Sequence, residues 1–153
     1  IREEFKPIFD SYFSSFNTKN TLLDQRFIYL VGALERFHKI RFYKKRQYLN
    51  VRLLELFDFY KKGFNGTLAI RNKKEFCERV KDLRNDLSHT DYINTNRKSH
   101  RENLYKYTER VRAIATCILL HEIGFTLPEI DKMFDQFADY IKFPRKSTKR
   151  KTR

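Results

Sequence analysis

Phe27-Ile28-Tyr29-Leu30-Val31-Gly32-Ala33-Leu34-Glu35-Arg36-Phe37-His38 decides the fold class. Phe27, Leu30, Leu34 and Phe37 recur three or four residues apart, and Leu23 carries the stripe one turn further back. That is the period of an amphipathic α-helix, not of a strand. The spacing predicts a helix from about Thr21 to Gln47, with a basic final stretch, Lys39 to Arg46, that suits a helix C-terminus. Glu35 lies among Val31, Leu34 and Phe37, where a buried carboxylate needs a partner. Two candidates exist: Lys39 at the next turn, as an exposed ion pair, or Arg84 from a helix further along the chain.

Working outward, Phe5, Ile8, Phe9, Tyr12, Phe13 and Phe16 form the aromatic stripe of a first helix, broken by the polar run Asn17 to Asn20. Downstream, Asn50 reads as the cap of a third helix containing Leu53, Leu54, Leu56, Phe57 and Tyr60. The glycines of Lys62-Gly63-Phe64-Asn65-Gly66 mark a loop, and Asn65-Gly66-Thr67 is read as a turn within it rather than a glycosylation site. A fourth helix starts near Lys73 with Phe76, Val80, Leu83 and Leu87 as its buried edge. The polar stretch Asp91 to Ser99 reads as a loop or fraying end. A fifth helix is expected from about Arg101 to Ile123, stopped by Gly124. Thr126-Leu127-Pro128-Glu129 opens a sixth as a capping box, ending near Lys142. The expectation is therefore an all-α bundle of about five to six helices over residues 1–143. In the remaining ten residues, 144–153, six are lysine or arginine and none is apolar, which predicts a tail disordered until it meets a polyanion.

Composition agrees with one helical domain. Of 153 residues only four are glycine and three proline, while fifteen phenylalanines and nine tyrosines supply apolar area for a core. No run of some eighteen uncharged apolar residues is present to span a bilayer, and no signal-peptide pattern opens the chain. Because it opens on Ile1, an excised domain or proteolytic fragment is expected. Cys77 and Cys117 each fall on an apolar helical face, so buried free thiols and a cytoplasmic setting are expected. No zinc spacing, HExxH, carboxylate array or glycine-rich phosphate loop is found, so neither metal nor cofactor is expected.

The chemistry concentrates in Arg84-Asn85-Asp86-Leu87-Ser88-His89. Arginine offers a permanent bidentate fork to a phosphate, and histidine moves protons near neutrality. RNA supplies its own nucleophile, the 2′-hydroxyl, so this pair is the minimum equipment for metal-free cleavage. The net charge of +14 has the sign a polyanionic substrate requires. Geometry adds a condition: on a regular helix residues five apart diverge by about 140°. Convergence requires the helix to bend or end near Leu87-Ser88-His89, or two copies to meet across a dimer. The competing reading is a surface salt bridge with a capping histidine. Asn85, four residues before His89, shares its face.

The Phe27–His38 stretch resembles the first signature of Apea-like HEPN domains, and Arg84–His89 resembles the second, correctly placed downstream. Leu119-Leu120-His121-Glu122-Ile123-Gly124 is similar to the end of that family's last helix, so the resemblance covers about residues 20–125. It implies a helical bundle that pairs about a two-fold axis, bringing two copies of the Arg/His motif into one cleft. It also implies a metal-independent endoribonuclease of abortive infection or antiphage defence, accompanied by a sensing domain in the same or a partner chain. The matched positions are Arg84, Asn85 and His89, with Glu35 and His38 in the first motif. His89 would serve as general acid or base and Arg84 would stabilise the phosphorane-like transition state. Asn85 would orient His89 or donate to the phosphate. Glu35 is expected to hold Arg84, and His38 to make a structural contact.

RNA contacts are expected from Lys39, Arg41, Lys44, Lys45 and Arg46, interleaved with Phe42, Tyr43 and Tyr48, and from Lys81. An ordinary solvated helix end is the competing reading of that segment. His100 is placed in a polar loop and His121 as a satisfied structural histidine. By analogy with related nucleases, RNA and in particular tRNA is the expected partner. The alternatives are a noncatalytic HEPN module for RNA binding or dimerisation, or the partner subunit of a nucleotidyltransferase or toxin system.

Overall fold

The computed structural model describes residues 3–16, 22–42, 47–60, 70, 72–88 and 97–136; for 97–101, 135 and 136 it describes the backbone alone. Six α-helices lie among these residues: α1 (Lys6–Ser14, after a 3-10 turn at Glu3–Phe5), α2 (Leu23–Phe42), α3 (Leu49–Phe59), α4 (Lys73–Ser88), α5 (Arg97–Glu122) and α6 (Leu127–Gln136). No strand is found among the described residues, and the all-α expectation holds. None of their helices is long and apolar enough to cross a membrane.

α2 is the central element. Phe27, Leu30, Leu34 and Phe37 are buried, as helical spacing predicted, together with Val31 and Ala33, while Leu23 is half-buried. α1 packs on one flank: Phe5 meets Phe37 with ring centres 5.9 Å apart, and Arg36 reaches back to Ser11 Oγ at 2.6 Å. α5 covers another face, tied to α1 by Tyr12 and Thr116, whose hydroxyl oxygens lie 2.6 Å apart. On the third side, the contacts between α2 and α3 advance together. Arg52 reaches Glu35, Glu55 reaches His38 and Phe59 meets Phe42, so the two helices run in the same sense. α3 carries α4 on its outer side through the edge-on Phe57–Phe76 pair and the Asn50–Glu78 hydrogen bond of 2.5 Å.

Local expectations are corrected at several points. α2 is described as far as Phe42, residues 43–46 lying outside the described residues, and Gln47 is already non-helical, its carbonyl accepting from Arg52 Nε and its side chain donating to Glu55. Asn50 is not the cap of α3. Tyr48 takes that position without a side-chain cap bond, while the Asn50 amide is drawn to Glu78, a tertiary partner outweighing the local one. Arg97–Ser99 and His100 belong to α5 rather than to a loop, since lysine and arginine extend a helix readily from the turn anchored by buried Leu104. Gly124 ends α5 with φ 109°, a conformation glycine adopts without a Cβ clash. Half of the expected capping box is present: Glu129 accepts from the Thr126 backbone N–H, while the Thr126 hydroxyl also donates to that carboxylate. The projected end of α6 near Lys142 and the basic tail 144–153 lie outside the described residues.

Cys77 and Cys117 are buried free thiols. Burial, reinforced by Glu78 and Asp58 for the first and Asp131 for the second, pushes both up from 9.0 to about 12. The unfolded thiol therefore ionises first. The stability each contributes is complete below about pH 9 and is lost as pH rises from 9 through 12. Both thiols are accordingly expected to resist a thiol-labelling reagent at pH 8 and to react together on unfolding. Rapid labelling of the native protein would contradict this burial.

Candidate active site

Arg84 emerges from the last turns of α4, beside buried Leu83 and half-buried Leu87. These two hold the helix against the core, and Asn85 and Ser88 beside them are exposed. Arg84 Nη2 lies 3.9 Å from Glu35 Oε2 on α2, the side chains being 43% and 25% exposed respectively. An ion pair this exposed contributes little to stability, about 0–1 kcal/mol. Its consequence is geometric: a carboxylate from the neighbouring helix restrains a guanidinium that still faces solvent. Of the two partners the sequence allowed for Glu35, Arg84 is the one in contact. Asn85, next to it, is exposed, and Ser88 Oγ donates to the Arg84 carbonyl at 2.8 Å in the final turn of α4. His89 lies outside the described residues, as do Lys44, Lys45 and Arg46.

His38 is fully buried, its Nε2 2.6 Å from Glu55 Oε2, so it makes an interhelical contact and meets no solvent. Lys39 and Arg41 are exposed, and the Arg41 guanidinium lies over the Phe59 ring, 5.1 Å from its centre. Lys81 is engaged by Glu78 at 2.5 Å and Asp82 at 3.6 Å. The hydrogen bond to Glu78 raises its pKa, and a phosphate would compete with both carboxylates. His121 is half-exposed and packs edge-on against Tyr60. Its buried Nδ1 has no hydrogen bond and sits 3.9 Å from Glu122, so the expectation of a fully satisfied histidine is corrected.

Two groups went unremarked in the sequence. The first is Arg52 with Glu55 and Gln47, which join α2 to the start of α3. A signal was present: Arg52 occupies a place in the stripe Leu49, Arg52, Leu53, Leu56, where a charge interrupts helical apolar spacing. The second is Tyr60, whose buried hydroxyl donates to Glu122 Oε1 at 2.8 Å and whose pKa is pushed up first by burial and then by that bond. Nothing in its surroundings marked that tyrosine as different from the other core aromatics. Among the described residues, no group of three or more His, Cys, Asp or Glu side chains is gathered to hold a metal ion.

The described residues form an all-α bundle built on a central helix, with Arg84 and Asn85 on a neighbouring one. The family model described as Apea-like HEPN matches residues 7–129, and the chain belongs to that family. No curated protein and no solved structure matches it.

Proposed function

We propose that this domain is a metal-independent endoribonuclease, the effector of a bacterial abortive-infection or antiphage system, acting in the cytoplasm as a two-fold dimer. The observation that carries the reading is Arg84, restrained by Glu35 across two helices yet open to solvent, in a segment that supplies His89 five residues on. In the reaction His89 takes or delivers the proton at the 2′-hydroxyl or the leaving 5′-oxygen. The 2′-oxygen forms a bond to the adjacent phosphorus, the bond from phosphorus to the 5′-oxygen breaks, and the leaving oxygen is protonated. Arg84 balances the extra charge on the phosphorane, with Asn85 donating to it or orienting His89. Dimerisation brings two copies of the motif to one cleft. Lys39 and Arg41, joined by Lys44, Lys45 and Arg46, attract the backbone without reading sequence. A tRNA anticodon loop, with its flexible single-stranded backbone, is the favoured target, and a sensing domain in the same or a partner chain supplies the trigger.

The test is to incubate the purified protein with total RNA in EDTA and map the ends. Fragments with 2′,3′-cyclic phosphate and 5′-hydroxyl termini are expected. RNA bound but left intact would identify a noncatalytic HEPN module instead.

A further inference from the structure

Between α2 and α3, polar side chains stand where apolar ones would fill the space. Arg52 is only 4% exposed. Its Nε donates to the Gln47 carbonyl at 3.0 Å, and its Nη1 makes a long hydrogen bond, 3.5 Å, to the carbonyl of Glu35. One turn on, Glu55 Oε2 lies 2.6 Å from His38 Nε2 and Glu55 Oε1 accepts from Gln47 Nε2 at 3.1 Å. Glu35 and His38, three apart on α2, thus face Arg52 and Glu55, three apart on α3. Removing a guanidinium from water is costly, and an apolar residue of similar volume is often no worse for stability. What the arginine supplies instead is direction, because its planar fork fixes two carbonyls relative to each other.

We infer that Arg52 is a positioning residue for Arg84: it pins the Glu35 turn of α2 to the start of α3, and that turn carries the carboxylate that restrains the Arg84 guanidinium. The inference rests on Arg84 being the phosphate-stabilising group proposed above. The contacts form one path, from the Gln47 carbonyl through Arg52 and the Glu35 backbone to the Glu35 carboxylate and Arg84. Arg84 is nearly half exposed, so its place depends on where Glu35 stands. Transition-state donors must be held within about 0.5 Å of the productive position, and a misplacement of about 1 Å costs about a hundredfold in rate.

Arg52→Met keeps the stem and removes the donors, while Arg52→Lys keeps the charge with a single ammonium. In the full chain, at a temperature where circular dichroism shows it folded, Arg52→Met is expected to lower kcat on RNA about ten- to a hundredfold. KM should stay within about twofold, since phosphate attraction is spread over many basic residues. Arg52→Lys should recover part of the loss. The deciding comparison is with Glu35→Gln: the double variant should be no slower than Glu35→Gln alone, because both changes act on one path. Additive losses would overturn the inference. Should the wild type leave RNA uncut, the functional reading fails while the positioning remains testable by NMR. The Arg84 Nε–H signal, assigned by its loss in Arg84→Lys, should move in Arg52→Met and in Glu35→Gln, with no further shift in the double variant. A signal unmoved by Arg52→Met would overturn the inference. If that variant fails to fold, Arg52→Lys carries the same measurements.

Discussion

His89→Ala and Arg84→Ala are each expected to reduce RNA cleavage by about two to three orders of magnitude while leaving the helical fold in place. The two losses have different origins. Without His89 the proton at the 2′-hydroxyl or 5′-oxygen has no side chain to receive or deliver it. Without Arg84 the phosphorane's added charge develops with no fixed counter-charge. The fold should tolerate the arginine change because its side chain is nearly half exposed and its bond to Glu35 is an ion pair of small energetic weight. Alanine is also the better helix former at that position. Arg84→Lys keeps a charge but loses the planar fork, so its rate should lie between wild type and alanine. The double variant should be about as slow as the slower single one, because both residues serve one step. EDTA should leave the wild-type rate nearly unchanged. Full activity in either alanine variant would remove that residue from the mechanism.

How far such chemistry is legible in the sequence depends on which force decides each position. Burial decides α2, where Phe27, Leu30, Leu34 and Phe37 announce both the helix and the face it buries. Burial likewise decides α4, whose Phe76, Val80 and Leu83 are all in the core. Local chemistry is enough at Gly124 and in the Thr126–Glu129 box, where the stop and start signals act within one turn. It is not enough at Asn50, because a cap-type side chain also serves a carboxylate on another helix, and that carboxylate, on Glu78, is 28 residues away. Arg52 is the instructive omission. A charged residue is ordinarily assigned to solvent, and what satisfies this one in the interior is a pair of backbone carbonyls, one on Gln47 just before α3 and one on α2. Carbonyls leave no trace in a side-chain pattern. The Glu35–Arg84 contact could be anticipated only as one of two options, because periodicity shows that a glutamate lies on a packed face without naming its partner.

Deleting Lys146–Arg153 separates attraction from chemistry. The deletion removes five of the chain's 33 lysines and arginines and none of Arg84, Asn85 or His89. Each phosphate contact releases about 0.7 counterions on a single strand and about 0.9 on a duplex. Loss of five contacts would flatten the plot of log affinity against log salt by roughly 3.5 units on single-stranded RNA. Binding should therefore weaken most at low salt, and the truncated and full chains should converge as salt rises. Turnover at saturating RNA should be unchanged, with the same cyclic-phosphate ends, because the reacting groups and the α2–α4 contact behind them are untouched. Turnover lost at saturation with affinity intact would mean that the tail shapes the active site, contrary to the electrostatic role expected of so basic a segment. If neither quantity changed, the tail would have no part in holding RNA, and the attraction would fall to Lys39, Arg41 and the basic residues that follow them. The expected result is the loss of affinity alone, since a segment with six charges in ten residues and no apolar side chain has long-range attraction to offer a polyanion and no surface with which to dock on the bundle.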